Sequence, residues 1–168
     1  GVVPGALIAC ADALGAQERL EGALWCAAAV GAVVMANGSV SGAEGGCQAE
    51  VGTASAMAAA GLCQMLYGSP ETCLTAASIA LGNLLGLVCD PVGGLVEFPC
   101  QNRNAIGVAN AFTSAQLALS SVGCPVPFDE AVQAMTLVGN ALPVSLRETA
   151  QGGLAACPSA CAACGSWD

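Results

Sequence analysis

Residues 41–67 read SGAEGGCQAEVGTASAMAAAGLCQMLY. Ser41 and Glu44 stand at the S-x-x-E spacing of a capping box, in which a serine hydroxyl and a glutamate carboxylate satisfy free N–H groups of a first helical turn. The residues that follow are mostly small and apolar without strand-like alternation, and Gly68 offers a stop, so the spacing predicts a helix over roughly 43–67. The same grammar extends both ways. Upstream, an apolar segment runs from Pro4 to Leu14, and an Ala/Val stretch over 17–36 halts at Asn37-Gly38. Downstream, Ser69-Pro70-Glu71 supplies a cap, a proline at the first helical position and a first-turn acid for a helix reaching Val88. A loop over 89–100, a helix over 101–121, a turn at 123–127, a helix from Asp129 to Leu142 and a short helical piece within 143–150 complete the pattern. Strand signals are almost absent. The expected fold is all-α: a compact multi-helix domain with buried Ala/Gly-rich helices and a Cys-bounded loop. Its expected extent is 1–156, with 157–168 a Cys-rich tail whose sequence predicts no structure.

Composition narrows the function classes. The 168 residues are 55% hydrophobic and 9% charged, which excludes intrinsic disorder. Net charge is −9, with Arg19, Arg103 and Arg147 as the cations and neither Lys nor His present. No cationic footprint exists to displace counterions from phosphates, so nucleic acid is excluded as a partner. A histidine or lysine base must come from elsewhere. Long uncharged stretches raise the alternative of a membrane bundle, but the longest unbroken apolar run, Ala23 to Ala36, has 14 residues. The other stretches are interrupted by polar groups, and no Lys marks an inner loop. No basic n-region opens the chain. The reading is a reduced cytoplasmic domain with helices buried nearly all round.

Eleven cysteines, an odd count, fit a reduced protein with a metal or cluster site better than a disulfide framework. Cys10, Cys26, Cys63 and Cys73 sit in apolar helical segments and read as small core residues; Cys124, in a turn, reads the same way. Cys47 differs, because it follows Gly45-Gly46 near the start of a helix. Cys89 and Cys100 bound the loop CDPVGGLVEFPC. Three thiolates beside helix N-termini and a Gly-rich loop suit an anionic iron–sulphur cluster. Spacing alone leaves cluster, zinc and no metal all open. Cys157, Cys161 and Cys164 in the tail are either incidental thiols or a source of a fourth ligand.

Three segments carry a more specific signal. SGAEGGCQAEVG (41–52), GLVCDPVGGLVEFPCQNRNAIG (86–107) and LRETAQGGLAA (146–156) resemble, in that order, the alpha chain of iron–sulphur-dependent L-serine dehydratase. The resemblance implies an all-helical domain holding a 4Fe–4S cluster through Cys47, Cys89 and Cys100, with the fourth iron position left for substrate. It also implies conversion of L-serine to pyruvate and ammonia without pyridoxal phosphate. LLGLVCDPV looks more like two-chain members than fused ones, and Asn83 stands where many fused members carry a histidine. The chain opens at GVVPGAL, after the place where the family carries a PTAGS-like segment, so a truncated alpha chain is expected.

The chemistry then needs a Lewis acid at the hydroxyl and a base at the α-proton. Ser41 and Glu44 are candidate catalytic groups, each also readable as a helix-capping group, and Glu50 is a further conceivable base. The base is otherwise expected from an N-terminal domain or a beta chain, within a homo- or hetero-oligomer. Ser39, Arg103 and Asn104 are candidate contacts to L-serine; Arg103, about one turn after Cys100, reads as a carboxylate clamp or as a charge-balancing ion pair. Asp90 and Gln48 read as groups supporting the cysteines, and Arg19 and Arg147 as surface charges. Competing readings are an L-cysteine desulfidase, a threonine-acting lyase, and a structural or electron-transfer cluster domain.

Overall fold

The computed structural model describes residues 1–164, without the side chains of 161, 163 and 164. Eight α-helices follow one another: α1 (Val2–Leu14), α2 (Leu20–Asn37), α3 (Gly42–Gly45), α4 (Thr53–Met65), α5 (Pro70–Asn83), α6 (Cys100–Leu119), α7 (Phe128–Ala141) and α8 (Pro158–Cys164). No strand forms among the described residues; one isolated bridge pairs Cys89 with Arg147. The all-α expectation is met.

Helix α4 is the axle. It packs against α1, α2, α5 and α6 and buries residues on every side, from Thr53 through Leu62 to Met65. Alanine and glycine make that possible by letting backbones approach. A Cβ on Gly61 would lie 2.9 Å from the Ala23 carbonyl oxygen and 3.0 Å from a Leu7 methyl. Leu7, Leu62, Met65 and Leu81 fill the space that the small residues leave. Truncating Leu62 to Ala would cost on the order of 2–5 kcal/mol.

Helix α2 lays Ala23, Ala27, Val30, Gly31 and Val34 against α4, one face at helical spacing. Among the described residues it is the one helix long and apolar enough to cross a membrane by length and composition. Its other face leaves Trp25 71% and Met35 69% exposed.

The single helix expected over 43–67 does not form. It breaks at Gly46, where φ is 77° and a Cβ would sit 2.8 Å from the Leu87 carbonyl oxygen. Cys47 follows the break, a π-helical turn covers Gln48–Gly52, and α4 starts only at Thr53. π turns often mark functional sites. The capping box is also absent: Ser41 holds the N-cap position without a side-chain hydrogen bond. Ser39 takes over, its hydroxyl donating to the Glu44 carboxylate and accepting the Ser41 N–H at 3.1 Å.

Helix α5 keeps its expected cap, the Ser69 hydroxyl accepting the Thr72 N–H at 3.3 Å. It ends at Asn83 rather than Val88, because Gly86 turns the chain at φ 85° and gives its N–H to Gln48 Oε1 at 2.8 Å. A 3-10 turn, Val144–Leu146, occupies the expected short piece after α7. The tail departs from expectation. Pro158 starts α8, a position its fixed φ favours, and α8 packs on the 3-10 turn Val92–Gly94 of the cysteine-bounded loop.

Candidate functional site

Three separated segments meet at Cys47, Cys89 and Cys100. Gly46 turns the chain so that Cys47 enters at the head of the π turn, 2% exposed. Cys89 is 3% exposed and held on both sides by the 146–148 segment: its N–H donates to the Leu146 carbonyl at 2.9 Å, and its carbonyl accepts the Glu148 N–H at 2.8 Å. Cys100 opens α6 and is half-buried. The Cys47 and Cys89 thiols lie close enough to interact, and Cys100 lies within the electrostatic reach of Cys47.

Burial pushes all three thiols up. At Cys47 the neighbouring Cys89 thiol and the Arg103 charge pull the other way. Arg103 Nη1 donates to Asp90 Oδ1 at 2.7 Å and to the Val88 carbonyl at 3.0 Å, and it reaches Cys47 Sγ at 3.7 Å. The guanidinium is thus held in an ion pair beside the thiols. Asp90 Oδ2 accepts the Leu154 N–H at 2.7 Å, which ties the third segment to the same point. Gly153 passes so close, at φ 62°, that any Cβ there would collide with the Asp90 carboxylate. Gln48 supports Cys47 from behind. Fully buried, it donates to the Gly45 and Met135 carbonyls, both at 2.9 Å, and accepts from Gly86.

Ser39 and Glu44 line a cleft of about 580 Å³ with Arg147, Thr136 and Asn140, and among the described residues no cysteine borders it. Asn104 is half-buried on α6 against Gly1, where a Cβ would lie 3.6 Å from its Nδ2. Asn83 donates to Asn110 Oδ1 at 2.8 Å in a polar ladder that continues to Ser55. Cys157 is exposed; the side chains of Cys161 and Cys164 lie outside the described residues. The acid whose charge reaches all three thiols is Glu50, not Glu44. A Cβ on Gly42 would stand 3.1 Å from both Glu50 Oε2 and Cys89 Sγ. Arg147, read from sequence as a surface charge, pairs through its backbone with Cys89 and donates to the Glu44 carbonyl at 3.4 Å. Its place inside the LRETAQGG motif was the available signal.

The model of the serine dehydratase alpha chain family matches residues 1–155. The chain belongs to that family. It is 52% identical over 160 residues to a probable L-serine dehydratase alpha chain of Bacillus subtilis, covering 95% of this chain and 53% of that protein. It is 51% identical over 156 residues to the L-serine dehydratase alpha chain of Peptoniphilus asaccharolyticus, covering 92% and 53%. L-serine dehydratase 1 of Escherichia coli is 48% identical over 130 residues, 77% of this chain and 29% of that protein. The chain therefore spans about half the length of the alpha chains it matches.

The donor set of this family member can be weighed against the implied iron–sulphur group. Among the described residues, no three Cys, Asp or Glu side chains gather so as to hold one metal ion. A mononuclear zinc site would need its donors converging on one point at about 2.0–2.3 Å. A cluster binds each thiolate to a different iron, so its ligands need only face a common space. Three buried or half-buried thiols drawn from three segments, a glycine at 42 where a side chain would press on Cys89, and a guanidinium 3.7 Å from Cys47 Sγ supply a donor set of that kind.

Proposed function

We propose that this chain is the cluster-holding part of an L-serine dehydratase, which converts L-serine to pyruvate and ammonia. Cys47, Cys89 and Cys100 would hold a 4Fe–4S cluster. When bound, that group supplies Lewis acidity at an iron left without a cysteine. The reading rests on one observation above all: the family's three motifs meet at these thiols, through Arg103, Asp90 and Leu154.

The chain's own residues have definable tasks. Arg103 places a fixed positive charge beside an anionic site, and Asp90 holds it there. Glu50 is the carboxylate whose charge all three thiols feel, so it is this chain's candidate to accept the α-proton. With no His or Lys in the chain, a histidine or lysine base would come from the remainder of the enzyme. Ser39 and Glu44 belong to the neighbouring cleft and are assigned no part in the proton transfer. The apolar residues that α2 exposes, Trp25 and Met35, offer a face for a beta chain or N-terminal domain.

The test is product analysis. The chain is reconstituted anaerobically with iron and sulphide together with the other portions of the enzyme, then given L-serine, L-cysteine or L-threonine. Pyruvate and ammonia from L-serine are expected. Sulphide release from L-cysteine as the faster reaction would replace this reading with a desulfidase.

A further inference from the structure

Away from the proposed cluster site, α2 and α5 bring two more cysteines together. Cys26, half-buried on α2, and Cys73, 3% exposed on α5, border one cleft with thiols close enough to interact, and Cys73 Sγ also reaches the Gly68 carbonyl at 4.0 Å. Both line a cleft of about 350 Å³ whose other walls include Ala29, Val30, Val33 and Leu74. Cys63 on α4 lies near enough to interact electrostatically with both, but its thiol is turned to the Ala115 carbonyl of α6 at 3.7 Å. The pair therefore consists of one thiol reachable from solvent and one buried behind it.

We propose that Cys26 is a modification site for small peroxides, with Cys73 as its resolving thiol. The Cys26 thiolate attacks one oxygen of a hydroperoxide, and the O–O bond breaks. Sulfur takes that oxygen as a sulfenic acid, while the other oxygen leaves as water or alcohol after taking a proton. The Cys73 sulfur then attacks the Cys26 sulfur, and an S–S bond forms. The sulfenic hydroxyl leaves as water with the Cys73 proton. Two thiols lose two electrons in all, and the peroxide gains them.

Three features favour this order of events. The cleft admits a small uncharged oxidant to the Cys26 side. The neighbouring Cys73 thiol pulls the Cys26 thiol down to about 7, against the burial that raises it. The Cys26 thiol and burial both push Cys73 up, so it stays protonated until Cys26 is oxidised. Burial pushes Cys63 up to about 11, which leaves it inert at neutral pH.

The experiment treats the fully reduced chain, without iron, with one equivalent of hydrogen peroxide. Remaining thiols are blocked, and the peptic digest is read by mass spectrometry. A Cys26–Cys73 cross-linked peptide is expected as the main product. Cys73→Ser is expected to abolish it and leave a sulfenic acid on Cys26, trapped by dimedone. Cys63→Ser is expected to leave the cross-link unchanged. Peroxide consumed first at Cys47, Cys89 or Cys100 with Cys26 still reduced would overturn the proposal, as would a cross-link through Cys63. Because no iron is present, the result is independent of the dehydratase reading.

Discussion

Asp90 grips Arg103 at 2.7 Å, the two side chains 3% and 16% exposed, and the same carboxylate holds the Leu154 N–H. One buried acid thus joins the cysteine-bounded loop, α6 and the segment after α7. Removing one partner of such a pair strands the other's charge, at about 3–5 kcal/mol, whereas removing both costs much less. Asp90→Ala is expected to lower stability by about 3 kcal/mol. Adding Arg103→Met should recover part of that loss, with a coupling above about 1 kcal/mol in urea unfolding. Strictly additive losses would mean that the pair is not coupled.

Gln48 satisfies three backbone groups from a fully buried position. Gln48→Leu keeps most of the volume but removes the hydrogen bonds to the Gly45 and Met135 carbonyls and strands the Gly86 N–H. A stranded buried group costs about 1–3 kcal/mol and each lost bond about 1 kcal/mol, so a loss on the order of 3 kcal/mol is expected. The exposed Gln101 serves as the control, its leucine variant staying within about 0.5 kcal/mol. Equal denaturation midpoints for the two variants would remove Gln48 from the support of the site.

Two glycines with positive φ separate backbone strain from collision. Gly94, at φ 71°, has open space around a hypothetical Cβ, so Gly94→Ala should cost about 1–2 kcal/mol, the left-handed penalty alone. Gly153, at φ 62°, faces the Asp90 carboxylate, so Gly153→Ala should cost clearly more and free the Leu154 amide to exchange with deuterium. Similar melting temperatures and unchanged Leu154 exchange would contradict the packing described.

Glu50 and Glu44 make opposite predictions. Glu50→Gln is expected to lower kcat by on the order of 10²–10⁴ with iron content unchanged, the usual reach of general base catalysis. Glu44→Gln is expected to stay within a few-fold, because Glu44 borders the other cleft. The reverse ranking would move the proton transfer to that cleft.

How far the sequence was legible varied with the kind of signal. Caps and stops were read well where they are local: Ser69-Pro70 does open α5, and Asn37-Gly38 does close α2. The break at Gly46 was missed because a double glycine inside an Ala-rich run keeps the helical pattern on both sides; what forces the turn is the Leu87 carbonyl, distant in sequence. The motifs pointed to Cys47, Cys89 and Cys100, and in the structure Cys47 interacts with Cys89 and, electrostatically, with Cys100. That Ser39 and Glu44 border a cleft with Arg147 was not legible, since it depends on which way α3 faces. Arg147 was misjudged for a similar reason: its pairing with Cys89 is a backbone contact across 58 positions that side-chain chemistry does not announce.

We propose that Cys47, Cys89 and Cys100 hold a 4Fe–4S cluster with one iron open to substrate. The most direct measurement is Mössbauer spectroscopy of the anaerobically reconstituted protein, with and without L-serine. One iron distinct from the other three is expected, shifted by L-serine, with the whole signal lost in Cys47→Ala, Cys89→Ala and Cys100→Ala but kept in Cys63→Ala. A full cluster that survives loss of any one of the three cysteines, or four iron sites that all ignore L-serine, would contradict it.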